Sequence, residues 1–356
     1  VKVLSVVGAR PQFVKLAPIA AALDAAGHEH IIVHTGQHYD ALMSDVFFAD
    51  LQIPTPDVHL GVGSGSHGVQ TGAILSAMDA VLDEHQPDWV LVYGDTNSTL
   101  AGALSAVKLH LPLAHLEAGL RSFNRRMPEE HNRVLTDHAA DLCLAPTEVA
   151  MGHLADEGLA ARSVNVGDVM TDVCFRVRDM VSSQIPVLPA GVDPLAPYLV
   201  ATIHRADNTD DPARLRSVVD ALAALTTPVV LMAHPRLVNR ARSAGINLTA
   251  GSLHMIDPLP YPQMVSAVMH SRGVVTDSGG LQKEAFLLRT PCTTLRTETE
   301  WTETLEDGWN LLDPDLVLVG TAADREPPTA EPAAPYGHGT AAPTAVRALA
   351  ERVQEK

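Results

Sequence analysis

The chain has 356 residues, 46% of them hydrophobic and 19% charged, which is enough for two globular domains of ordinary size. With 25 Lys and Arg against 42 Asp and Glu, the formal net charge is −17; this argues against nucleic acid as a partner, because phosphate backbones are bound by basic surface. No apolar run approaches the roughly 18 residues of a membrane span, and the opening Val1-Lys2-Val3-Leu4-Ser5 reads as a strand rather than a signal peptide, so a cytoplasmic protein with no membrane partner is expected.

Apolar strand-like runs alternate with helical stretches along the whole chain, the pattern of an α/β protein with parallel sheets. In the first half, strands are expected at residues 3–7, 31–34, 89–93, 113–116 and 142–145, with helices at 13–26, 69–84, 99–109 and 130–139. Pro18 predicts a kink or a late start in the first helix. A linker is expected over residues 182–197, where Pro186, Pro189, Gly191, Pro194 and Pro197 cluster. A second series follows, with strands at 198–203, 229–232, 273–276 and 292–295 and a helix at 212–225. Residues 325–343, rich in Pro and Ala, read as a surface crossing, and an amphipathic helix over 345–354 is expected to pack back on the body.

The resulting expectation is two Rossmann-like, doubly wound parallel-sheet domains. The first covers 1–181 and is joined by the C-terminal helix at 341–356; the second covers 182–340. A ligand cleft between them would lie at the carboxyl ends of the strands. Cys143, Cys174 and Cys292 are odd in number and far apart, so buried thiols are expected rather than disulfides or metal ligands.

Polar clusters follow the predicted strands. Gly8-Ala9-Arg10-Pro11-Gln12, with Lys15 on the helix beyond, lacks the spaced glycines of a dinucleotide fingerprint. An Arg and a Lys at a helix start nevertheless suit a diphosphate; the alternative is a solvated helix end. Gly94-Asp95-Thr96-Asn97-Ser98 puts Asp95 at a strand's carboxyl end, with Ser98 as a candidate helix cap. His115-Leu116-Glu117-Ala118-Gly119-Leu120-Arg121 sends Glu117 toward the same cleft. Met127-Pro128-Glu129-Glu130-His131-Asn132-Arg133 opens a helix with ordinary N-terminal chemistry, so a structural role is expected for one of its two glutamates, with a structural role for both as the alternative.

In the second half, Thr202-Ile203-His204-Arg205 and His234-Pro235-Arg236 follow strands. His204 is a candidate acid, base or phosphate ligand, or else a structural histidine. The run Thr276-Asp277-Ser278-Gly279-Gly280-Leu281-Gln282-Lys283-Glu284 reads as a strand end, a tight turn and a helix. That helix start offers unpaired N–H groups and partial positive charge to a phosphate, and Glu284 is placed to accept hydrogen bonds from sugar hydroxyls. A glycine-rich turn without a ligand is the alternative. No cluster has metal-ligand spacing, and no strand–helix Gly-x-Ser-x-Gly elbow is present.

Taken in order, these motifs resemble the UDP-N-acetylglucosamine 2-epimerase family, from residue 1 to about 355. The resemblance implies a GT-B fold of two Rossmann-like domains, a homodimer, a UDP-sugar substrate, and no NAD, metal or pyridoxal cofactor. It implies a reaction that eliminates UDP across C1–C2 to a 2-acetamidoglucal and adds it back with the C2 proton on the other face. By position it gives catalytic roles to Asp95, Glu117, Glu129 and His204. It gives substrate-binding roles to Arg10, Lys15, Ser278, Gly279, Gly280 and Glu284.

The chain departs from that pattern in places. Gly-Ala-Arg-Pro-Gln replaces the more usual Gly-Thr-Arg-Pro-Glu, Lys283 stands where many members have Glu, and Met264 stands where some carry an aromatic beside the uracil. The region in which many members bind a second substrate molecule as activator reads Gln37-His38-Tyr39-Asp40 and Val69-Gln70-Thr71, without the Arg; weak or absent activation is therefore expected. Leu281 to Ala285 together with Arg296-Thr297-Glu298-Thr299-Glu300-Trp301 also resemble a branch acting on UDP-2,3-diacetamido-2,3-dideoxyglucuronic acid. There Lys283 would either balance the uronate or face solvent. A hydrolysing 2-epimerase releasing N-acetylmannosamine and UDP, a GT-B glycosyltransferase and a non-catalytic nucleotide-sugar sensor are the remaining alternatives. The last two would not need Asp95, Glu117 and Glu129 gathered around one sugar carbon.

Overall fold

The computed structural model describes residues 1–37, 53–329 and 334–354, the side chains of Arg10 and Gln354 excepted. The chain divides into two compact units, Val1–Val173 with Ala334–Lys356, and Cys174–Ala333.

In the first unit, strands β1 (Lys2–Val7), β2 (Glu29–His34), β3 (Val58–His59), β4 (Trp89–Tyr93), β5 (Leu113–Leu116), β6 (Leu142–Ala145) and β7 (Ser163–Asn165) form one parallel sheet in the order β3-β2-β1-β4-β5-β6-β7. Its inner strands are near-continuous apolar runs because helices cover both faces; every residue of β4 is buried. The helices are α1 (Arg10–Ala25), α2 (His67–His85), α3 (Asn97–Lys108), α4 (Pro128–Ala139) and α5 (Glu148–Asp156). Leu4, Val6, Ile74, Met78, Val90 and Val92 are fully buried at the centre of the core. Helix α1 begins at Arg10 and continues through Pro18, so the proline does not delay it. Leu16, Ile19 and Leu23 are completely buried along its inner face, and that burial outweighs one missing backbone hydrogen bond.

Helix α6 (Val169–Val181) spans the boundary between the units. The second unit contains β8 (Leu199–Thr202), β9 (Val229–Met232), β10 (Leu253–Ile256), β11 (Gly273–Thr276), β12 (Cys292–Thr294) and β13 (Asn310–Leu312), again all parallel, in the order β10-β9-β8-β11-β12-β13. Its helices are α7 (Ala206–Thr209), α8 (Pro212–Ala223), α9 (Pro235–Ser243), α10 (Tyr261–Met269) and α11 (Gly279–Leu287). The last helix, α12 (Ala341–Gln354), returns to the first unit and packs against α1. Trp89 Nε1 donates to the Leu349 carbonyl at 3.0 Å and ties α12 to β4.

Both sheets therefore have the Rossmann strand order. The order reverses between β1 and β4 in one and between β8 and β11 in the other, and at such a reversal the loops leaving neighbouring strands part and open a crevice. The short strands β3, β7, β10 and β13 escape sequence reading because two to four residues of mixed burial are too few to show a period. All three cysteines are free and buried, and burial above all pushes the thiols of Cys143 and Cys292 up to about 12.

Candidate functional site

At the first reversal, one side chain joins the loops after β1 and β4. Gln12 is buried; its Oε1 accepts from the Gly8 amide (2.8 Å) and the Ala9 amide (3.0 Å), and its Nε2 donates to the Tyr93 carbonyl (2.9 Å) and to Thr99 Oγ1 (3.1 Å). A Glu there could accept from the same amides but could not donate to Tyr93. A Cβ on Gly8 would stand 1.9 Å from Thr35 Oγ1 and 2.3 Å from Ser98 Oγ, so only glycine lets these loops meet. Arg10 opens α1, but its side chain lies outside the described residues.

Asp95 follows Gly94, whose φ of +62° turns the chain sharply at the end of β4. Asp95 Oδ2 accepts from Arg133 on α4 at 2.7 Å, and its backbone carbonyl accepts from Asn132 Nδ2 at 2.9 Å. The carboxylate remains 35% exposed. Glu117 follows β5 with a φ of +68°, a left-handed conformation that is costly for a side-chain-bearing residue and typical of functional sites. It is buried and ion-paired with Lys15 of α1. Lys15 Nζ and Glu117 Oε2 both stand 3.3 Å from where a Cβ on Gly94 would be, so the pair rests against the turn that carries Asp95. Burial works against the Lys15 charge, but Glu117, and then Asp95 and Asp168, outweigh it and hold the ammonium above the usual lysine range.

Glu129 and Glu130 part company at the start of α4. Glu129 lines a cavity of about 350 Å³ together with Asp95, Asn97, Asn132, His67 and Gln70. Glu130 is buried and structural: it accepts from the Ser122 amide and hydroxyl (2.9 Å each), the Phe123 amide (2.8 Å) and Arg133 (3.0 Å). Burial alone would raise its carboxyl; those donors more than reverse this and hold it below the usual range.

Beneath these loops lies a buried charge network that the motifs did not announce. Asp137 of α4 accepts from His115 Nδ1 (2.6 Å), the Gly119 amide (3.0 Å) and Arg121 (2.7 Å). His115 Nε2 meets the Gly94 carbonyl at 2.7 Å, and Arg121 forks onto both oxygens of Glu157 at 2.8 Å. One fully buried carboxylate thus anchors the residue before Asp95 and the residue two beyond Glu117. Burial would raise the Asp137 carboxyl, but His115 and Arg121 hold it below the usual range.

In the second unit, Asp277 plays the matching part. It is fully buried after β11 and accepts from the amides of His204 (3.0 Å) and Arg205 (2.9 Å) and from Asn208 Nδ2 (3.1 Å). This fixes the loop after β8, with His204 Nδ1 at 3.2 Å from Asp277 Oδ1. Burial lowers the His204 imidazole, and the opposing pull of Asp277 does not restore it.

Ser278 caps α11, its Oγ accepting from the Leu281 amide at 3.3 Å. Gly279 and Gly280 form the first turn, and Glu284 lies buried on the next. Glu300 approaches the same helix end and pairs with Arg296 at 2.8 Å and Arg205 at 3.8 Å. Lys283 does not face solvent: it is 4% exposed, with Nζ 3.9 Å above the Trp301 ring. Met264 packs against the apolar cluster around Tyr198 and Leu281.

The predicted residues therefore fall into two sets. Lys15, Asp95, Glu117 and Glu129 gather at the first reversal; His204, Ser278, Gly279, Gly280 and Glu284 lie at or beside the second. Sequence reasoning missed Asp137 and the anchoring part of Arg133 and Asp277, because each acts through partners that are distant in the chain. Among the described residues, no group of His, Cys, Asp and Glu is arranged to hold a metal ion, and no helix is long and apolar enough to cross a membrane.

Two parallel-sheet α/β domains, both of Rossmann strand order, define a protein of the GT-B fold class. More particularly, the chain belongs to the UDP-N-acetylglucosamine 2-epimerase family, whose model matches residues 21–350, and it is an epimerase, an isomerase. It is 48% identical over 330 residues to UDP-2,3-diacetamido-2,3-dideoxy-D-glucuronate 2-epimerase of Pseudomonas aeruginosa, covering 91% of this chain and 89% of that protein. The crystal structure of Methanocaldococcus jannaschii UDP-GlcNAc 2-epimerase in complex with UDP-GlcNAc and UDP matches with a TM-score of 0.82 at 35% identity, covering 99% of this chain and 100% of that one. That of UDP-GlcNAc 2-epimerase from Neisseria meningitidis bound to UDP-GlcNAc matches with a TM-score of 0.86 at 26% identity and the same coverage.

Proposed function

We propose that this protein interconverts UDP-N-acetylglucosamine and UDP-N-acetylmannosamine by eliminating and re-adding UDP. The observation that supports this most is the carboxylate cluster of the first unit: Asp95 and Glu129 on one cavity, with the Glu117–Lys15 pair against the Asp95 turn. The sugar C2–H adjoins no carbonyl, so direct deprotonation is hard. Elimination avoids this. A carboxylate takes the C2 proton, the C1–O bond breaks with its electron pair leaving on the diphosphate oxygen, and a C1=C2 double bond remains. On return, the diphosphate oxygen attacks C1 while a second acid delivers a proton to the other face of C2. Carboxylates borne by separate loops suit base and acid duty on opposite faces, and Lys15 orients Glu117.

The leaving group needs a firm hold. In this reading His204, the Ser278-Gly279-Gly280 end of α11, and Arg10 supply it, while Glu284 accepts from sugar hydroxyls. The wall where an activator would bind is occupied by internal bonds: Gln37 Oε1 accepts from the Ser98 amide at 3.1 Å and hydroxyl at 2.6 Å, and Gln70 accepts from Asn97 at 2.8 Å; His38, Tyr39 and Asp40 lie outside the described residues. Activation by a second substrate molecule is accordingly weak or absent, and a sigmoidal rate curve would contradict this. The homodimer implied by the family and the cytoplasmic setting expected from the sequence belong to the same proposal; light scattering behind size exclusion tests the former.

A second reading, epimerisation of UDP-2,3-diacetamido-2,3-dideoxyglucuronic acid, is favoured by the 48% identity to the Pseudomonas enzyme. Lys283 gives it little support, since its ammonium is engaged with Trp301. Chromatography of products from each nucleotide sugar decides. A 2-epimer from UDP-N-acetylglucosamine supports the first reading, and one from the uronate alone supports the second. Free N-acetylmannosamine with UDP would mean a hydrolysing enzyme.

A further inference from the structure

The anion-receiving end of α11 already holds a carboxylate. A Cβ built on Gly279 would stand 2.3 Å from Glu300 Oε1, so this oxygen is seated directly against the first turn of the helix. Glu300 is held there by Arg296 (2.8 Å) and, more loosely, by Arg205 (3.8 Å). Arg296 is only 11% exposed, and its second terminal nitrogen is buried without a hydrogen-bond partner. A guanidinium offers five N–H donors in a fork that fits a phosphate better than one carboxylate oxygen. Glu300 itself is 38% exposed, so its carboxylate has an open way out. Burial would raise its carboxyl, but Arg296 and Arg205 hold it below the usual range; at neutral pH it is an anion at a site that attracts anions.

We propose that Glu300 is a built-in competitor for the diphosphate: it holds the start of α11 in the free protein, swings out when a UDP-sugar arrives, and hands Arg205 and Arg296 to the phosphates. The inference rests on the nucleotide-sugar reading above. Its consequence is moderated affinity for UDP, because the returning carboxylate helps to expel it, while in the free protein the helix end and the arginines keep a counter-charge beside them.

Calorimetric titration of UDP and of uridine into the wild-type protein and Glu300→Gln tests this. The variant keeps the side-chain shape and removes the charge. Its Kd for UDP should fall by about tenfold, a change of roughly 1.4 kcal/mol, with binding of uridine unaltered. If the wild type binds UDP and Glu300→Gln binds it no more tightly, or if uridine gains as much as UDP, the competition is refuted while the nucleotide reading stands. A wild type that binds no UDP overturns the nucleotide reading itself.

Discussion

In the first unit, the loops leaving β4 and β5 carry carboxylates, and each is met by a cation: Asp95 by Arg133, Glu117 by Lys15, and Asp137 beneath them by Arg121. In the second unit, the loop leaving β8 presents amides, His204 and Arg205, and the loop leaving β12 presents Arg296; these are met by the carboxylates of Asp277, which follows β11, and Glu300. The strand order is the same in both. The fold supplies a crevice at each reversal, and the loop residues decide which charges line it. Each unit also hangs its working loops from one fully buried aspartate, Asp137 or Asp277, a device that lets polar loops stay fixed without apolar packing.

The comparison is broken or sharpened by substitutions that touch one unit at a time. The largest effect is expected for Asp95→Asn: turnover should fall by about 10²- to 10⁴-fold, the range for loss of an acid–base group, with UDP binding by calorimetry unchanged. Loss of UDP binding instead would show that the division of labour is wrong. Asp137→Ala should cost about 3–5 kcal/mol in urea unfolding, because it leaves His115 buried without its carboxylate and strips Arg121 of one of its two; a change under 1 kcal/mol would show that the network holds nothing in place.

In the second unit, Ser278→Ala removes the cap of α11 and should cost about 1 kcal/mol, with weaker UDP binding but no change in the pH dependence of turnover. A separate effect, confined to acid pH, concerns His30, which meets Ser5 at 2.8 Å and is lowered by burial to about 4. Because its folded value lies below the unfolded 6.5, the unfolded chain takes the proton first. The stability His30 contributes is therefore present above pH 6.5 and lost as pH falls through about 4. Thermal melts of His30→Asn should show less acid sensitivity across that window than the wild type; identical sensitivity would remove the assignment.

Much of this was legible in the chain. The apolar runs at β4, β5, β6, β9 and β11 mark themselves, since strands buried on both faces need no alternation. The carboxyl-end rule then points to Asp95, Glu117, His204 and Ser278. What stayed hidden depends on neighbours across the sheet. Gln12 reads as a small departure from a motif until the Tyr93 carbonyl stands beside it. Asp137 is an unremarked helix residue until β5 places His115 against it. Lys283 was open between a ligand charge and a solvated one, and only the return of the chain through Trp301 shows it buried.

The most direct test of the account is proton NMR of the protein with UDP-N-acetylglucosamine in D₂O. UDP-N-acetylmannosamine with deuterium at C2 is expected, because the proton taken from one face is replaced from solvent on the other. Epimer that keeps its original C2 proton, or no conversion of this sugar or of the diacetamido uronate, would contradict it.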